Sequence, residues 1–172
     1  MNIQIRNATV DDCNDLLKIY SYYVENTAIS FEYDVPSTEE FSSRIQNISK
    51  KFPYLVAIID GKIVGYTYAN TFKSRRAYDY SVETTIYIDK EYKGKGIGKI
   101  LYTELENQLR QKGFRNMYAC IAYTEKDNEY LTNGSKCFHQ KMGFSLVGTF
   151  HKTGFKFNQW FDMIWMEKLL FE

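Results

Sequence analysis

The feature that most constrains this 172-residue chain is a strand, a glycine-rich turn and a helix in direct succession. Tyr80–Ile88 (YSVETTIYI) is dense in β-branched and aromatic residues and predicts a strand. From Ile97 onward Leu101, Leu105 and Leu109 recur at helical spacing, and Gly113 is placed to end that helix. Between them stands Lys93-Gly94-Lys95-Gly96-Ile97-Gly98-Lys99. It is not a Walker loop, because Gly94 and Gly98-Lys99 are one residue too close for GxxxxGK. It is not GxGxxG either, because Lys99 stands where the third glycine belongs. Glycines let a backbone approach a ligand closely, and the N–H groups of a first helical turn are free at the positive dipole end. Together they form a seat for an anion the size of a pyrophosphate. A plain turn with solvated lysines fits the same spacing.

The rest of the chain places this unit within a mixed fold. Ile3 and Ile5 alternate with polar residues and predict a first strand. Thr9 reads as a helix N-cap, and Cys13, Leu16, Leu17, Tyr20 and Val24 carry a helix to about Asn26. An irregular loop, 27–35, leads to a second helix, with Ser37 and Glu40 spaced as a capping box. Strands are expected at 54–60 and 62–70 around the Asp60-Gly61 turn, at 80–88 and at 115–122. A polar loop over 123–132 precedes a short helix, Ser135–Met142, closed by Gly143. Two last strands are expected at 144–151 and 160–169. The order β-α-α-β-β-β-α-β-α-β-β makes the class α/β (α+β), with a mixed sheet flanked by helices in a single domain over 1–172.

Composition narrows the function classes. Lys plus Arg is 22 and Asp plus Glu is 21, so the net charge of +1 gives no electrostatic case for nucleic acid or an anionic membrane. No apolar run reaches membrane-spanning length. Cys13, Cys120 and Cys137 are too few and scattered for a disulfide framework, and His139 and His151 make no metal-ligand spacing with them. The expectation is a cytoplasmic protein without a metal. The 15 Tyr and 12 Phe are unusual, and they suggest a cleft, an interface or broad strands.

The Lys93–Gly98 segment resembles the glycine loop of the GCN5-related N-acetyltransferase superfamily, with Lys93 in place of the usual Arg or Gln. Phe138–Phe144, a helix before a Gly-Phe pair, is a second family mark. Within that superfamily the chain looks like the phosphinothricin/methionine sulfoximine N-acetyltransferase group. Tyr78, Val82-Glu83 and Ile86-Tyr87-Ile88 match its strand segment, His139 its helix, and Gly154-Phe155-Lys156 with Trp160-Phe161-Asp162 its last motif. The resemblance implies a mostly antiparallel sheet of about seven strands with about four helices. It also implies acetyl-CoA as co-substrate and a small amino acid as acceptor, with a homodimer by analogy. The rivals are a protein or peptide N-terminal acetyltransferase and a non-catalytic acyl-CoA-binding module.

The resemblance assigns roles residue by residue. Glu83 is the candidate base, since an α-amine of pKa about 7.7–8.0 must lose a proton before it attacks. His139 is the candidate proton donor beside the sulfur. The backbone of Ile86, Tyr87 and Ile88 is expected to face the thioester oxygen. Lys93, Gly94, Lys95, Gly96, Ile97, Gly98 and Lys99 are expected around the CoA phosphates. The family's coenzyme-contacting Asn counts onto Thr132; Asn133 is favoured, Asn128 is the other candidate, and Ser135 joins the same site. Arg75, Arg76 or Lys73 would clamp an acceptor carboxylate. Phe31, Tyr78 and Trp160 would wall the acceptor pocket.

Overall fold

The computed structural model describes residues 2–171. Seven strands are β1 Gln4–Asn7, β2 Tyr54–Ile59, β3 Lys62–Thr71, β4 Ser81–Ile88, β5 Asn116–Tyr123, β6 Ser145–Lys156 and β7 Gln159–Leu169. Four α-helices are α1 Cys13–Asn26, α2 Thr38–Ser49, α3 Ile97–Gln111 and α4 Gly134–Lys141. The strands form one sheet in the order β1-β2-β3-β4-β5-β7-β6. Every pairing is antiparallel except β4 with β5. The expected class, strand number and helix number are all present.

Strand alternation distributes the core over both faces of the sheet. Leu55, Ala57, Val82, Met117 and Met166 pack against Ile97, Leu101, Leu105 and Leu109 of α3. Tyr54, Val56 and Tyr66 point the other way, onto Leu16, Tyr20, Tyr23, Phe41 and Ile45 of α1 and α2. Much of the tyrosine excess lies on this second face. Tyr54 stacks on Tyr66 at 5.9 Å, and Tyr87 lies 5.0 Å from Tyr20 and 4.9 Å from Tyr23.

Local chemistry sets the element ends. Ser37 caps α2, its hydroxyl accepting from the Glu40 N–H at 3.1 Å. Thr9 starts a 3-10 turn, Val10–Asp12, instead of entering α1 directly. There Asp12 accepts the Thr9 N–H at 2.8 Å and takes both Arg6 guanidinium nitrogens at 2.7 Å. The Asp12 carboxylate thus closes a capping box at the start of this turn, which runs straight into α1.

The last hairpin departs from expectation. β6 runs to Lys156, not to His151. A bulge between Phe150 and Gly154, with Lys152 at φ 51°, interrupts its pairing with β7 and hides its second half from an alternation pattern. The turn is the two residues Phe157 and Asn158, both at positive φ (50° and 57°).

Candidate active site

β4 and β5 are bonded over only three pairs, Ser81↔Asn116, Val82↔Met117 and Glu83↔Tyr118, and then diverge. A cavity of about 240 Å³ lies in the opening. Its walls include Glu83, Thr85, Ile86 and Tyr87 of β4, Cys120 and Ala122 of β5, and Ser135 and His139 of α4. Ile29, Ser30 and Phe31 from the α1–α2 loop and Met163 from β7 complete it.

Glu83 stands where the strands part, and burial pushes its carboxyl above the ordinary range while Lys73 opposes the shift. Lys73 lies over the rings of Phe72 (5.2 Å) and Trp165 (5.6 Å), and Phe72 stacks on Tyr118 at 4.2 Å. The Cys120 thiol is pushed up to about 11, first by burial and then by Glu83. Lys73 is therefore the cation whose charge reaches the cavity groups. Arg75 and Arg76 lie in an exposed turn and form no ion pair among the described residues.

His139 is 3% exposed, and both its ring nitrogens are engaged. Nδ1 lies 2.8 Å from the Ser135 carbonyl, so it carries the proton. Nε2 therefore accepts, from the Tyr102 hydroxyl at 2.8 Å, and Thr84 Oγ1 stands 3.0 Å from that hydroxyl. Burial lowers the imidazole to about 4. The ring is neutral near pH 7, and it lies on the cavity wall with both nitrogens engaged. Tyr102 was missed from sequence; the signal was a phenol inside the apolar stripe of α3.

At the glycine turn, Gly94 and Gly96 adopt φ 76° and 81°, a region costly for any side chain, and Gly96 is the residue before α3. Gly98 has another reason to lack a side chain: a Cβ there would sit 3.1 Å from Phe138 of α4. Lys93 lies 4.7 Å from the Tyr23 ring, and Lys95 4.6 Å from Tyr92. Burial lowers the Lys93 amine. Tyr23 also donates to the Ile88 carbonyl at the end of β4, a link no sequence pattern marked.

Several expected residues lie elsewhere. Trp160 is 59% exposed on β7, against Phe155 at 4.9 Å, and does not wall the cavity. Tyr78 sits edge-on to Phe72, also outside the walls. The position of Trp160 follows from strand alternation, since its neighbour Phe161 takes the inward face. Asn128 spends its side-chain oxygen on the N–H groups of Tyr130 and Leu131. Asn133 donates its amide to Thr124 O (2.9 Å) and Asp127 Oδ1 (3.0 Å). Its Oδ1 is buried without a hydrogen-bond partner, so one acceptor remains there for a ligand N–H.

Comparison with known proteins decides the family. Residues 5–165 match the acetyltransferase (GNAT) domain model. The chain belongs to the GNAT acetyltransferases. One structure similar to this acetyltransferase is a phosphinothricin acetyltransferase from Sinorhizobium meliloti in complex with acetyl-CoA. They share 35% identity and a TM-score of 0.89 over 98% of this chain and 89% of that one. A phosphinothricin N-acetyltransferase of Streptomyces coelicolor is 31% identical over 98% of this chain and 96% of its own length. An L-methionine sulfoximine/L-methionine sulfone acetyltransferase of Salmonella typhimurium is 28% identical over 98% and 95%. No helix among the described residues of this acetyltransferase is long and apolar enough to cross a membrane.

Proposed function

We propose that this enzyme moves the acetyl group of acetyl-CoA to the α-amine of a small amino acid of the phosphinothricin or methionine sulfoximine kind. The observation that carries the reading is the opening between β4 and β5, with half-buried Glu83 at its mouth and the glycine turn beyond it. The relatives' names supply the acceptor class.

The residues present fit acetyl-CoA. The first-turn N–H groups after Gly96 suit its pyrophosphate, and the orphaned Asn133 Oδ1 suits an amide N–H of its pantetheine arm. The thioester supplies an activated acyl carbon; the amine nitrogen bonds to that carbon as the C–S bond breaks. Glu83 takes the ammonium proton, directly or through a water. The edge of β4 beyond Glu83, unpaired toward β5, offers backbone N–H groups where the carbonyl oxygen gains charge. His139 holds α4 to α3 and β4; to protonate the leaving thiolate, its Nδ1 would have to release Ser135. Lys73 is placed to attract an acceptor carboxylate, in preference to Arg75.

Three free cysteines agree with a reducing, cytoplasmic setting. Exposed Leu146, Val147 and Phe150 on β6 agree with a homodimer. The test is CoA thiol release with acetyl-CoA and L-methionine sulfone. Release confirms the reading; silence across all amino acids, or activity only on peptide N-termini, overturns it.

A further inference from the structure

Lys156 is a lysine with no business in a core. It is 3% exposed and has no carboxylate within ion-pair distance among the described residues. Its three ammonium donors go to three carbonyls: Val24 at 2.6 Å, Thr27 at 2.9 Å and Ser30 at 2.7 Å. Val24 lies in the last turn of α1, where the helix dipole is negative, and Thr27 and Ser30 belong to the loop that follows. That loop supplies Ile29, Ser30 and Phe31 to the cavity wall. One side chain from the edge strand of the sheet therefore gathers the backbone that leads into the wall and the carbonyl of Ser30 within it.

The neighbours of Lys156 reinforce this. Two residues earlier on β6, Gly154 lies against the Phe31 ring; a Cβ there would fall 2.4 Å from Phe31 Cζ. The carbonyl of Phe155 accepts from Tyr33 of the same α1–α2 loop. Phe157 stacks on Tyr130 at 4.1 Å and 8°, gripping the 124–133 loop, whose Tyr130 carbonyl accepts the Ala28 N–H at 2.9 Å. Leu131, Ala28 and Phe161 then form a small separate core with Phe31 at its margin. Phe157 does this at φ 50°, a conformation unfavourable for an aromatic residue. A turn built only to reverse the chain would favour Asn or Gly there.

We propose that the β6–β7 hairpin tip is a clamp that sets the acceptor end of the cavity, with Lys156 and Gly154 as positioning residues for Phe31. They touch neither reactant in this scheme and act through the 27–31 loop. The proposal rests on the reading of the cavity as the acceptor site. Glycine and a buried lysine two apart on one strand face serve opposite needs: one leaves room for the ring, the other holds its backbone.

The test compares the full-length protein with Lys156→Met and Gly154→Ala. One arm is hydrogen–deuterium exchange of segment 27–33; the other is KM for L-methionine sulfone and for acetyl-CoA. Lys156→Met should speed exchange in 27–33 by about tenfold or more, equivalent to roughly 1.4 kcal/mol of local stability. Acceptor KM should rise by a similar factor, and the KM for acetyl-CoA should stay within about twofold. Gly154→Ala, which keeps the three hydrogen bonds, should raise acceptor KM without the large change in exchange; it decides the matter if Lys156→Met does not fold. Unchanged exchange in Lys156→Met, or faster exchange with acceptor KM unmoved, overturns the clamp, as does an unmoved acceptor KM in Gly154→Ala. A wild-type protein inactive on every amino acid sinks the acceptor reading instead, and the exchange arm still reports whether Lys156 holds the loop.

Discussion

Glu83 and His139 face one cavity from environments that act oppositely on their charge. Burial raises the Glu83 carboxyl, so the base form is lost at a higher pH than for an exposed glutamate. Glu83→Gln should lower kcat by roughly 10²-fold or more above that pKa and flatten the acidic limb of the pH–rate profile. Its acetyl-CoA affinity, read by calorimetry, should be unchanged; full turnover in this variant would remove Glu83 from the base role. His139 folds neutral, with its imidazole at about 4 against 6.5 for an unperturbed ring. Its stabilisation is complete above pH 6.5 and is lost as pH falls toward 4, amounting to about 3 kcal/mol. Urea midpoints measured from pH 7 to pH 4 should show that slope, and His139→Gln should lose it.

At the scale of elements, the β4–turn–α3 unit was legible because its signals are local. Alternation, glycine spacing and the Leu101-Leu105-Leu109 stripe each depend on nearby residues. Gly96 tests this unit: a Cβ there meets nothing within 4 Å, so Gly96→Ala is strained by conformation alone. It should cost about 1 kcal/mol of stability and weaken acetyl-CoA binding, read by thermal melts and calorimetry. The second half of β6 was not legible, because the bulge before Gly154 breaks the period-two pattern. The Lys156 contacts join residues more than 120 positions apart, beyond any window of periodicity. Among the site residues, Glu83 and Phe31 line the cavity, while Trp160 points outward because Phe161 takes the inner face. Glu83 was readable from strand parity and family motif; the engagement of both His139 nitrogens needed α3 beside α4.

For the whole molecule, charge gives little surface character, since cations and anions nearly balance. Part of the apolar exposure lies along one edge of the sheet: Leu146, Val147 and Phe150 are on β6, an edge strand. An exposed apolar edge strand favours association. If the proposed dimer forms through this strand, Phe150→Lys should lower the association state in sedimentation equilibrium and with it the concentration dependence of the melting temperature. A wild-type monomer at tens of micromolar would remove the dimer from the proposal.

The three-pair seam between β4 and β5 also has a mechanical meaning. It divides the sheet into two panels, one of four strands and one of three, hinged at Glu83 and Tyr118. A ligand lying along the opening would touch both panels and so act as a splint. Acetyl-CoA should therefore slow hydrogen exchange in the far halves of β4 and β5 together, and raise the melting temperature of the whole protein as its concentration exceeds Kd. On this view the enzyme is most rigid when it is loaded.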